Sequence, residues 1–408
     1  MLLVHKIELD PNNIQATYFK KACGVARFAY NWALSEWRNL YSCGGKPKES
    51  ELRKKLNQIK NTEFPWMLEV TKVAPQQAIK NLGNAFKRFF EKQGKYPKFK
   101  KRGIHDAFRA DNGPSEAGQD AVKILENKIN LPKVGWIRLK ESLRFSGQIK
   151  SVVISRKADH WYAAVSVETE VLPHECKNQG SVGVDLGIKH MAVLSNGEKF
   201  EGPKAYGGLL SKIKRLSRSL SRKQEGSENR KKTKLKLSRL HLDIFNLRQD
   251  FLHKFSTYLV LNFTKIGLEN LNTVGMLKNR KLSRSIMDQG FYELRRQLEY
   301  KAKWYGSEIV LADRFYPSSQ LCHVCQFQNK DLTLKDRDWI CTKCQTQHDR
   351  DINAACNLKA LCEEKNLQCS STASSAGFQA CGEESADVGG NTGVKLASGK
   401  QEFNVGLK

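Results

Sequence analysis

Two cysteine pairs are the feature that most restricts the fold of this chain. Two residues separate Cys322 from Cys325, and after an interval of fifteen residues Cys341 and Cys344 repeat that spacing. Such pairs supply the four thiolates of a tetrahedral structural zinc site, with no position left open for catalysis. The other seven of the eleven cysteines follow no regular spacing, which indicates reduced thiols rather than disulfides. We therefore predict a small zinc-held module in this region.

The turns of this module and a nearby histidine leave two points open. Each cysteine pair is followed by a glutamine, Gln326 or Gln345, at a position where such a turn often has glycine. The ligand set is therefore predicted by the spacing, whereas the loop geometry is not. His348 could replace one thiolate as a ligand, but we expect it to orient the neighbouring site instead.

Charge is the second constraint on this chain. It has 69 Lys and Arg against 42 Asp and Glu, a formal net charge of +27. Such an excess predicts a polyanionic partner, and nucleic acid is the leading candidate. A membrane surface is the competing partner, but no apolar run approaches the ~20 residues of a spanning helix, and the first residues lack the apolar core of a signal peptide. We expect a cytoplasmic, nucleoid-associated prokaryotic protein with no membrane partner.

Two segments concentrate the positive charge. In residues 86–102, Lys and Arg alternate with aromatic residues, a composition suited to phosphate contact and base stacking. In residues 204–239, most of the polar positions are basic, and apolar stripes at 209–220 and 237–251 predict two antiparallel helices. Solvated helix faces would give the same pattern. Our candidate backbone contacts are Lys87, Arg88, Lys98, Lys100, Lys101, Arg102, Arg215, Arg218 and Arg222.

Three acidic residues lie in segments that each resemble part of one sheet-and-helix unit. Asp185 follows an apolar strand, Glu269 ends the predicted strand 264–269, and Asp351 opens a helix predicted to reach Leu361. Acids at the ends of buried strands project from a sheet edge, even when those strands are distant in sequence. Three carboxylates can bind two Mg²⁺ ions about 4 Å apart for in-line phosphodiester cleavage. Any one of them alone could equally be a solvating group.

Periodicity in the first half of the chain predicts a sheet with a helical insertion. Residues 1–10 alternate as a strand, and helices follow to about residue 90. Residues 104–176 are rich in predicted strands, notably 150–156 and 161–171. We expect these strands to form a small barrel or sheet together with the first strand.

The second half alternates strands and helices before it loses periodicity. Asn196–Gly197 predicts a hairpin turn, residues 286–304 a single helix, and residues 309–312 a short buried strand. Residues 366–408 are rich in Ser, Gly, Ala, Glu and Asn without periodicity, so we expect a disordered tail. Together the halves predict an α+β protein of several domains.

Five short motifs carry a resemblance to a known family. They are Ala26–Asn31 (ARFAYN), Gly183–Gly187 (GVDLG), Gly267–Leu271 (GLENL), Pro317–Gln320 (PSSQ) and His348–Ala355 (HDRDINAA). The combination resembles TnpB, the family of RNA-guided nucleases of insertion-sequence transposons that is ancestral to the type V CRISPR effectors. The resemblance extends from residue 1 to about residue 360.

The resemblance implies a fold in several parts. It implies an RNase H-like RuvC nuclease domain with a zinc-ribbon insert that loads the target strand, and an N-terminal β-barrel wedge domain that carries a helical recognition domain. The corresponding ranges are 179–315 with 346–365 for RuvC, 316–345 for the insert, 1–13 with 101–178 for the wedge, and 14–100 for recognition.

The resemblance also implies roles for particular residues. Asp185, Glu269 and Asp351 match the catalytic acids that bind Mg²⁺. Lys72 and Gln76 match the helix that reads a short motif flanking the target, although a solvated helix face explains them nearly as well. It further implies a guide RNA from the transposon end, a double-stranded DNA target and one protein per RNA, since pairing with the guide supplies sequence recognition.

Three other functions compete with this interpretation. Transposases of the three-acid type normally have the order Asp, Asp, Glu, whereas the order here is Asp, Glu, Asp. An RNA-guided DNA-binding regulator without nuclease activity predicts the loss of at least one acid, and all three are present. A compact CRISPR effector derived from TnpB would share every feature except the origin of its guide.

Overall fold

The computed structural model describes residues 1–104, 106–113, 121–170, 180–333 and 335–372, with side chains to Glu364 in the last range. The contacts between residues divide the chain after Glu170 into two units, here called the N-terminal unit and the C-terminal unit. In these described ranges, no helix is both long enough and apolar enough to span a membrane.

The N-terminal unit is built on an antiparallel sheet in the order β2-β6-β7-β1-β5-β4-β3. The first strand lies in the middle of this sheet, and its alternate residues, including Leu3 and Ile7, are buried. No ladder in the described residues joins β2 to β3, so closure into a barrel stays a prediction. The strands are β1 (Leu2–Asp10), β2 (Ala107–Asp111), β3 (Lys123–Leu125), β4 (Lys128–Leu131), β5 (Gly135–Leu139), β6 (Gln148–Lys157) and β7 (His160–Glu168).

Helices lie between β1 and β2 in the chain order of this unit, where the helical insertion was predicted. They are α1 (Asn13–Ser42), α2 (Glu49–Ile59) and α3 (Val73–Phe90), with a 3₁₀ turn at Pro65–Glu69. Asn12 caps α1 because its side chain accepts a hydrogen bond from the Gln15 amide, and the Gln15 side chain accepts one from the Asn12 amide. Phe19 of α1 packs against Phe108 and Trp161 of the sheet. Helices and sheet therefore share one hydrophobic core.

The C-terminal unit is built on a mixed sheet in the order β10-β9-β8-β11-β12. Strands β8, β11 and β12 are parallel, whereas β9 and β10 return antiparallel through a turn at Asn196–Gly197, as predicted. The strands are β8 (Ser181–Asp185), β9 (Ala192–Leu194), β10 (Lys199–Phe200), β11 (Lys265–Leu268) and β12 (Glu308–Leu311).

Helices connect and cover this sheet. They are α4 (Ala205–Ser221), α5 (Glu228–Asn262), α6 (Thr273–Met276), α7 (Ser283–Gln289), α8 (Phe291–Tyr305) and α9 (Arg350–Thr372). The predicted helical hairpin is confirmed as α4 and α5. The single helix predicted for 286–304 is wrong, because Gly290 adopts φ 72° and separates α7 from α8.

The predicted tail is only partly described. Helix α9 continues to Thr372, past Leu361, so residues 366–372 are helical rather than part of a disordered tail. Residues 373–408 lie outside the described range. The segment between β12 and α9 contains a two-stranded ribbon, β13 (Asp338–Ile340) and β14 (Gln347–Asp349), next to the four cysteines.

Candidate active site and zinc site

The three predicted acids belong to elements that meet at one edge of the C-terminal sheet. Asp185 is the last residue of β8, and Glu269 directly follows β11. These strands are parallel, with Leu268 of β11 opposite Val184 of β8, so their carboxyl ends lie side by side. Asp351 comes from the first turn of α9, which packs on both strands.

Two glycines allow α9 to lie directly on the sheet. Gly183 and Gly267 are opposite each other in the β8–β11 ladder. A Cβ atom on Gly183 would lie 1.8 Å from the carbonyl oxygen of Ala355, and one on Gly267 would lie 2.3 Å from that of Leu358. Both distances are far below van der Waals contact, so only glycine fits at these two positions. The close approach brings the start of α9 to the strand ends that carry the other two acids.

The electrostatics of the site show that the neighbouring acids act on Asp185. Burial raises the pKa of Asp185 well above its ordinary range, and the charges of Glu269 and Asp351 raise it further. The guanidinium groups of Arg350 and Arg337 act in the opposite direction. Burial also raises the pKa of Glu269. A buried carboxyl whose ionisation is disfavoured by two neighbouring carboxylates suits a divalent cation with its preference for hard oxygen ligands.

Several partners of these acids were not predicted from the sequence. The Ser318 hydroxyl donates to Glu269 Oε1 at 2.6 Å, and Arg337 Nη1 donates to Asp351 Oδ1 at 3.1 Å. Asp349 Oδ1 accepts from the Asp351 and Ile352 amides at 2.9 and 3.1 Å and so caps α9. The Pro317–Gln320 motif was the one signal in the sequence that pointed to Ser318.

The four cysteines form a compact ligand set. Their sulfur atoms all lie within 4.8 Å of one another, with Cys322 Sγ 3.5 Å from Cys344 Sγ and Cys325 Sγ 3.6 Å from Cys341 Sγ. Zn–S bonds of about 2.3 Å in a tetrahedron place sulfurs about 3.8 Å apart, so these residues could hold zinc. Within the described residues, no other set of three or more potential ligands converges this closely.

Both cysteine turns have the same backbone geometry. Gln326 and Gln345 each adopt φ 58°, in the left-handed region that favours glycine. Their amides donate to the carbonyls of Cys322 and Cys341 at 2.8 and 2.9 Å, which closes each turn. Hydrogen bonds from Thr346 lower the pKa of Cys344 to about 6, as suits a thiolate ligand. The turns thus form without glycine.

His348 lies beside this ligand set rather than within it. The ring is 3% exposed, and its Nε2 is 3.1 Å from Cys322 Sγ. It also packs against the rings of Trp339 and His323. This contact can fix the direction of the Cys322 thiolate, while the orienting role expected for His348 stays a prediction.

The candidate nucleic-acid residues are mostly on the surface of the two units. Lys72 is the N-cap residue of α3 and is exposed, whereas Gln76 in the first turn is half-buried. Lys87 and Arg88 lie exposed in the last turn of α3, and Lys98, Lys101 and Arg102 are exposed beyond it. Lys100 is partly buried, with Nζ 4.0 Å from the centre of the Tyr30 ring. Its contact with that ring makes Lys100 the least available of the set.

The other basic candidates lie together along α4. Arg215, Arg218 and Arg222 line an open groove of about 680 Å³, with Lys214 and Lys223. The first turn of α4 is held by Asp288, whose carboxylate accepts from the Tyr206 and Gly207 amides and pairs with Arg248. These arginines therefore form a continuous basic strip on a fixed helix.

Three family models match separate parts of the chain. The one described as "Cas12f1-like, TNB domain" matches residues 291–358, "Probable transposase" matches residues 164–280, and "Helix-turn-helix domain" matches residues 1–46. In this chain the last of these segments contains β1 and the single long helix α1. The description of that model therefore does not describe the structure of this segment.

Two relatives matched over most of their length decide the family. An Escherichia coli K12 protein named "Putative RNA-guided DNA endonuclease InsQ" is 34% identical, and the match covers 88% of this chain and 92% of that protein. A Streptomyces pristinaespiralis protein named "Putative RNA-guided DNA endonuclease" is 36% identical, with 87% and 88% covered. The chain belongs to the TnpB family. The predicted nuclease function of an insertion-sequence transposon is confirmed at the level of this family.

A solved structure supports the same fold for this TnpB-family chain. The cryo-EM structure of the Cas12f1-sgRNA-target DNA complex matches with a TM-score of 0.56, and the match covers 86% of this chain and 83% of that one. The identity is 15%, so this likeness concerns the fold alone. The prediction of an α+β multidomain protein is confirmed in this coarse form.

Proposed function

We propose that Asp185, Glu269 and Asp351 form the catalytic centre of an RNA-guided endonuclease that cuts double-stranded DNA beside a short flanking motif. The observation that carries this proposal is the meeting of the carboxyl ends of β8 and β11 with the start of α9. The charges of Glu269 and Asp351, which raise the pKa of Asp185, support it. The guide RNA would come from the transposon end.

The topology of the C-terminal unit supports a RuvC assignment. Strands β8, β9 and β10 form an antiparallel meander. Strand β11 pairs in parallel with β8, and β12 pairs in parallel with β11, each reached through helices. This is the strand order of an RNase H-like fold. We assign residues 179–315 and 346–365 to this nuclease domain and residues 316–345 to a zinc ribbon that loads the target strand. The wedge at 1–13 and 101–178 and the recognition helices at 14–100 complete the assignment.

The chemistry of the proposed centre follows from its ligands. Asp185, Glu269 and Asp351 would hold two Mg²⁺ ions, which when bound activate the attacking water and stabilise the leaving oxygen. Asp349 fixes the first turn of α9, and the glycines of β8 and β11 set the distance from that turn to the strands. The protein's own contribution is therefore the fixed placement of three carboxylates.

Basic surfaces on both units supply the proposed partners' binding sites. The strip on α4, with Arg215, Arg218 and Arg222, would follow a guide RNA or heteroduplex backbone, and Lys72 with Gln76 would read the flanking motif. Cas12f1, which shares the fold, was solved with a guide RNA and target DNA, in agreement with this assignment. We expect one protein per RNA.

Cleavage by the reconstituted complex tests the function. The protein is purified with the RNA that accompanies it from its native locus and incubated with a matching duplex and Mg²⁺. We expect double-strand cleavage that falls at least about a hundredfold in Asp185→Ala, because a metal site contributes several kcal/mol to the transition state and each 1.36 kcal/mol is tenfold.

A matched variant makes this result specific. Asp313 also follows a parallel strand of the same sheet, β12, but its side chain is exposed. Asp313→Asn should cut normally. Undiminished cleavage by Asp185→Ala would contradict the site.

Sequencing the bound RNA separates the alternative functions, since a CRISPR repeat in that RNA would favour a compact CRISPR effector over a transposon-end guide. Binding of a matched duplex without cutting would favour a regulator.

A further inference from the structure

We propose that Ser318 is a positioning residue that orients the Glu269 carboxylate for metal binding, and that Asn357 of α9 holds Ser318 in place. This inference rests on the proposed function, because it assigns a role to a side chain that contacts one of the three acids. It connects the segment that leads into the zinc ribbon to the nuclease centre.

The contact between Ser318 and Glu269 is short and enclosed. The hydroxyl donates to Glu269 Oε1 at 2.6 Å, and Ser318 is only 4% exposed. An ionised carboxylate accepts but does not donate, so this bond fixes one oxygen and leaves the other available as a metal ligand. A buried hydroxyl with one short bond to an acid is the kind of outer contact that orients metal-binding carboxylates.

Two asparagines of α9 hold the backbone that carries Ser318. Asn357 is fully buried, and its Nδ2 donates to the carbonyls of Ser318 and Leu321 at 2.8 and 2.7 Å. One turn earlier, Asn353 Nδ2 donates to the Leu321 carbonyl at 2.6 Å, and its Oδ1 accepts from the His323 amide at 3.0 Å. The segment before Cys322 is therefore tied to the helix that also supplies Asp351.

These bonds join the acids on β11 and α9 through the start of the ribbon. Glu269 contacts Ser318, Ser318 is bound by Asn357, and Asn357 lies in the same helix as Asp351. Movement of the segment before Cys322 would shift the hydroxyl that orients Glu269. The placement of one catalytic carboxylate thus depends on a residue outside the sheet.

A pair of equal-shaped substitutions isolates the hydroxyl. Ser318→Thr and Ser318→Val add the same bulk at a buried position, but only threonine keeps the donor. Mn²⁺ binding to the full-length chain without RNA is measured by electron paramagnetic resonance, with Asp185→Ala as background. We expect the valine variant to bind Mn²⁺ about 10–100-fold more weakly than the threonine variant, the range for lost outer contacts.

Cleavage gives a second measurement and separates the two proposals. The Mg²⁺ concentration for half-maximal cleavage should rise in Ser318→Val relative to Ser318→Thr, whereas Ser319→Ala should match the unmodified protein, because Ser319 has no side-chain hydrogen bond within the described residues. Equal Mn²⁺ affinity in the two Ser318 variants would overturn the inference, even if Asp185→Ala is inactive. Full cleavage by Asp185→Ala would instead overturn the proposed function.

Discussion

Asp185 occupies a position at which a carboxylate is electrostatically unfavourable. Burial, Glu269 and Asp351 all raise its pKa, and Arg350 and Arg337 compensate only in part. Groups with strongly perturbed pKa values concentrate at functional sites, because the arrangement that perturbs them is the one that chemistry needs. We therefore expect the ionised Asp185 carboxylate to lower the free energy of unfolding of the metal-free protein.

Replacing Asp185 with Asn should stabilise the metal-free protein near neutral pH. The pKa of Asp185 is raised on folding, so the folded protein keeps a proton that the unfolded chain releases above pH 3.8. Stability is lost as the pH rises from that value through the raised folded pKa, and an amide avoids this loss. We expect a higher Tm in EDTA, each kcal/mol corresponding to about 2–4 °C for a unit of this size.

Calorimetry between pH 5 and pH 8 measures this effect. Mg²⁺ should raise the Tm of the unmodified protein and leave that of Asp185→Asn nearly unchanged. The exposed Asp313→Asn serves as the control and should melt like the unmodified protein. A variant that is no more stable than the original at neutral pH would show that the acids do not strain the fold.

At the residue scale, the acids could be predicted from the sequence but their partners could not. Each acid ends or directly follows an apolar strand or opens a periodic helix, which are local signals. Ser318 is 49 positions from Glu269 along the chain, and no period or spacing relates the two. Arg337 likewise meets Asp351 only because the ribbon folds back beside α9. Contacts of this kind arise from tertiary structure alone.

At the scale of elements, the contact of α9 with β8 and β11 determines the geometry of the site. Gly183 and Gly267 allow helix carbonyls to lie against the strands, so a side chain at either position must push the helix away. The sequence contains both glycines within recognised motifs, GVDLG and GLENL, but their spacing does not show that one helix covers both. This part of the fold became clear only from the ladder register.

Gly267→Ala should destabilise the C-terminal unit and lower cleavage. The added methyl would lie 2.3 Å from the Leu358 carbonyl, so α9 must shift, and overpacking of this kind costs about 1–3 kcal/mol. Gly208→Ala is the matched control, because that glycine lies in helix α4 with nothing within 4 Å of the added atom. It should be neutral or slightly stabilising.

Urea unfolding of the two glycine variants provides the comparison. A lower midpoint for Gly267→Ala and an equal or higher one for Gly208→Ala would support the packing argument. Equal midpoints for the two variants would mean that α9 adjusts without cost.

The helix break at Gly290 could not be predicted from hydrophobic periodicity. The apolar period continues across Gly290, whereas the helical backbone does not.

At the scale of the whole molecule, the net charge of +27 is distributed over both units. The composition alone predicted a nucleic-acid partner, and the chain order of strands and helices predicted the insertion into the first sheet. The sequence did not predict the order of the seven strands in the first sheet, because pairings between distant segments depend on register and burial. The sequence also did not show which basic residues remain available for contact.

Neutralising the α4 strip should weaken RNA binding and reduce its salt dependence. Each lost phosphate contact lowers the slope of log K against log salt by about 0.7–0.9. The triple variant of Arg215, Arg218 and Arg222 to Ala should thus lose about 2–3 from that slope. Filter binding of the copurified RNA across a salt series measures it.

Three cations that already have acidic partners provide the control. Lys254, Arg295 and Arg296 pair with Asp250, Glu299 and Glu293, so their replacement by Ala should change the slope much less. The same loss of slope in both triple variants would point to net charge rather than to the strip.

The left-handed glutamines of the two cysteine turns have a consequence for how the ribbon can vary. A residue with a side chain in that conformation is less favourable than glycine by about 1–2 kcal/mol. Zinc binding to modules of this kind supplies about 10–16 kcal/mol of folding free energy. The metal can therefore offset two unfavourable turns many times over. Proteins that fold this segment around an ion can therefore have residues other than glycine at these left-handed positions, whereas a metal-free hairpin requires glycine there.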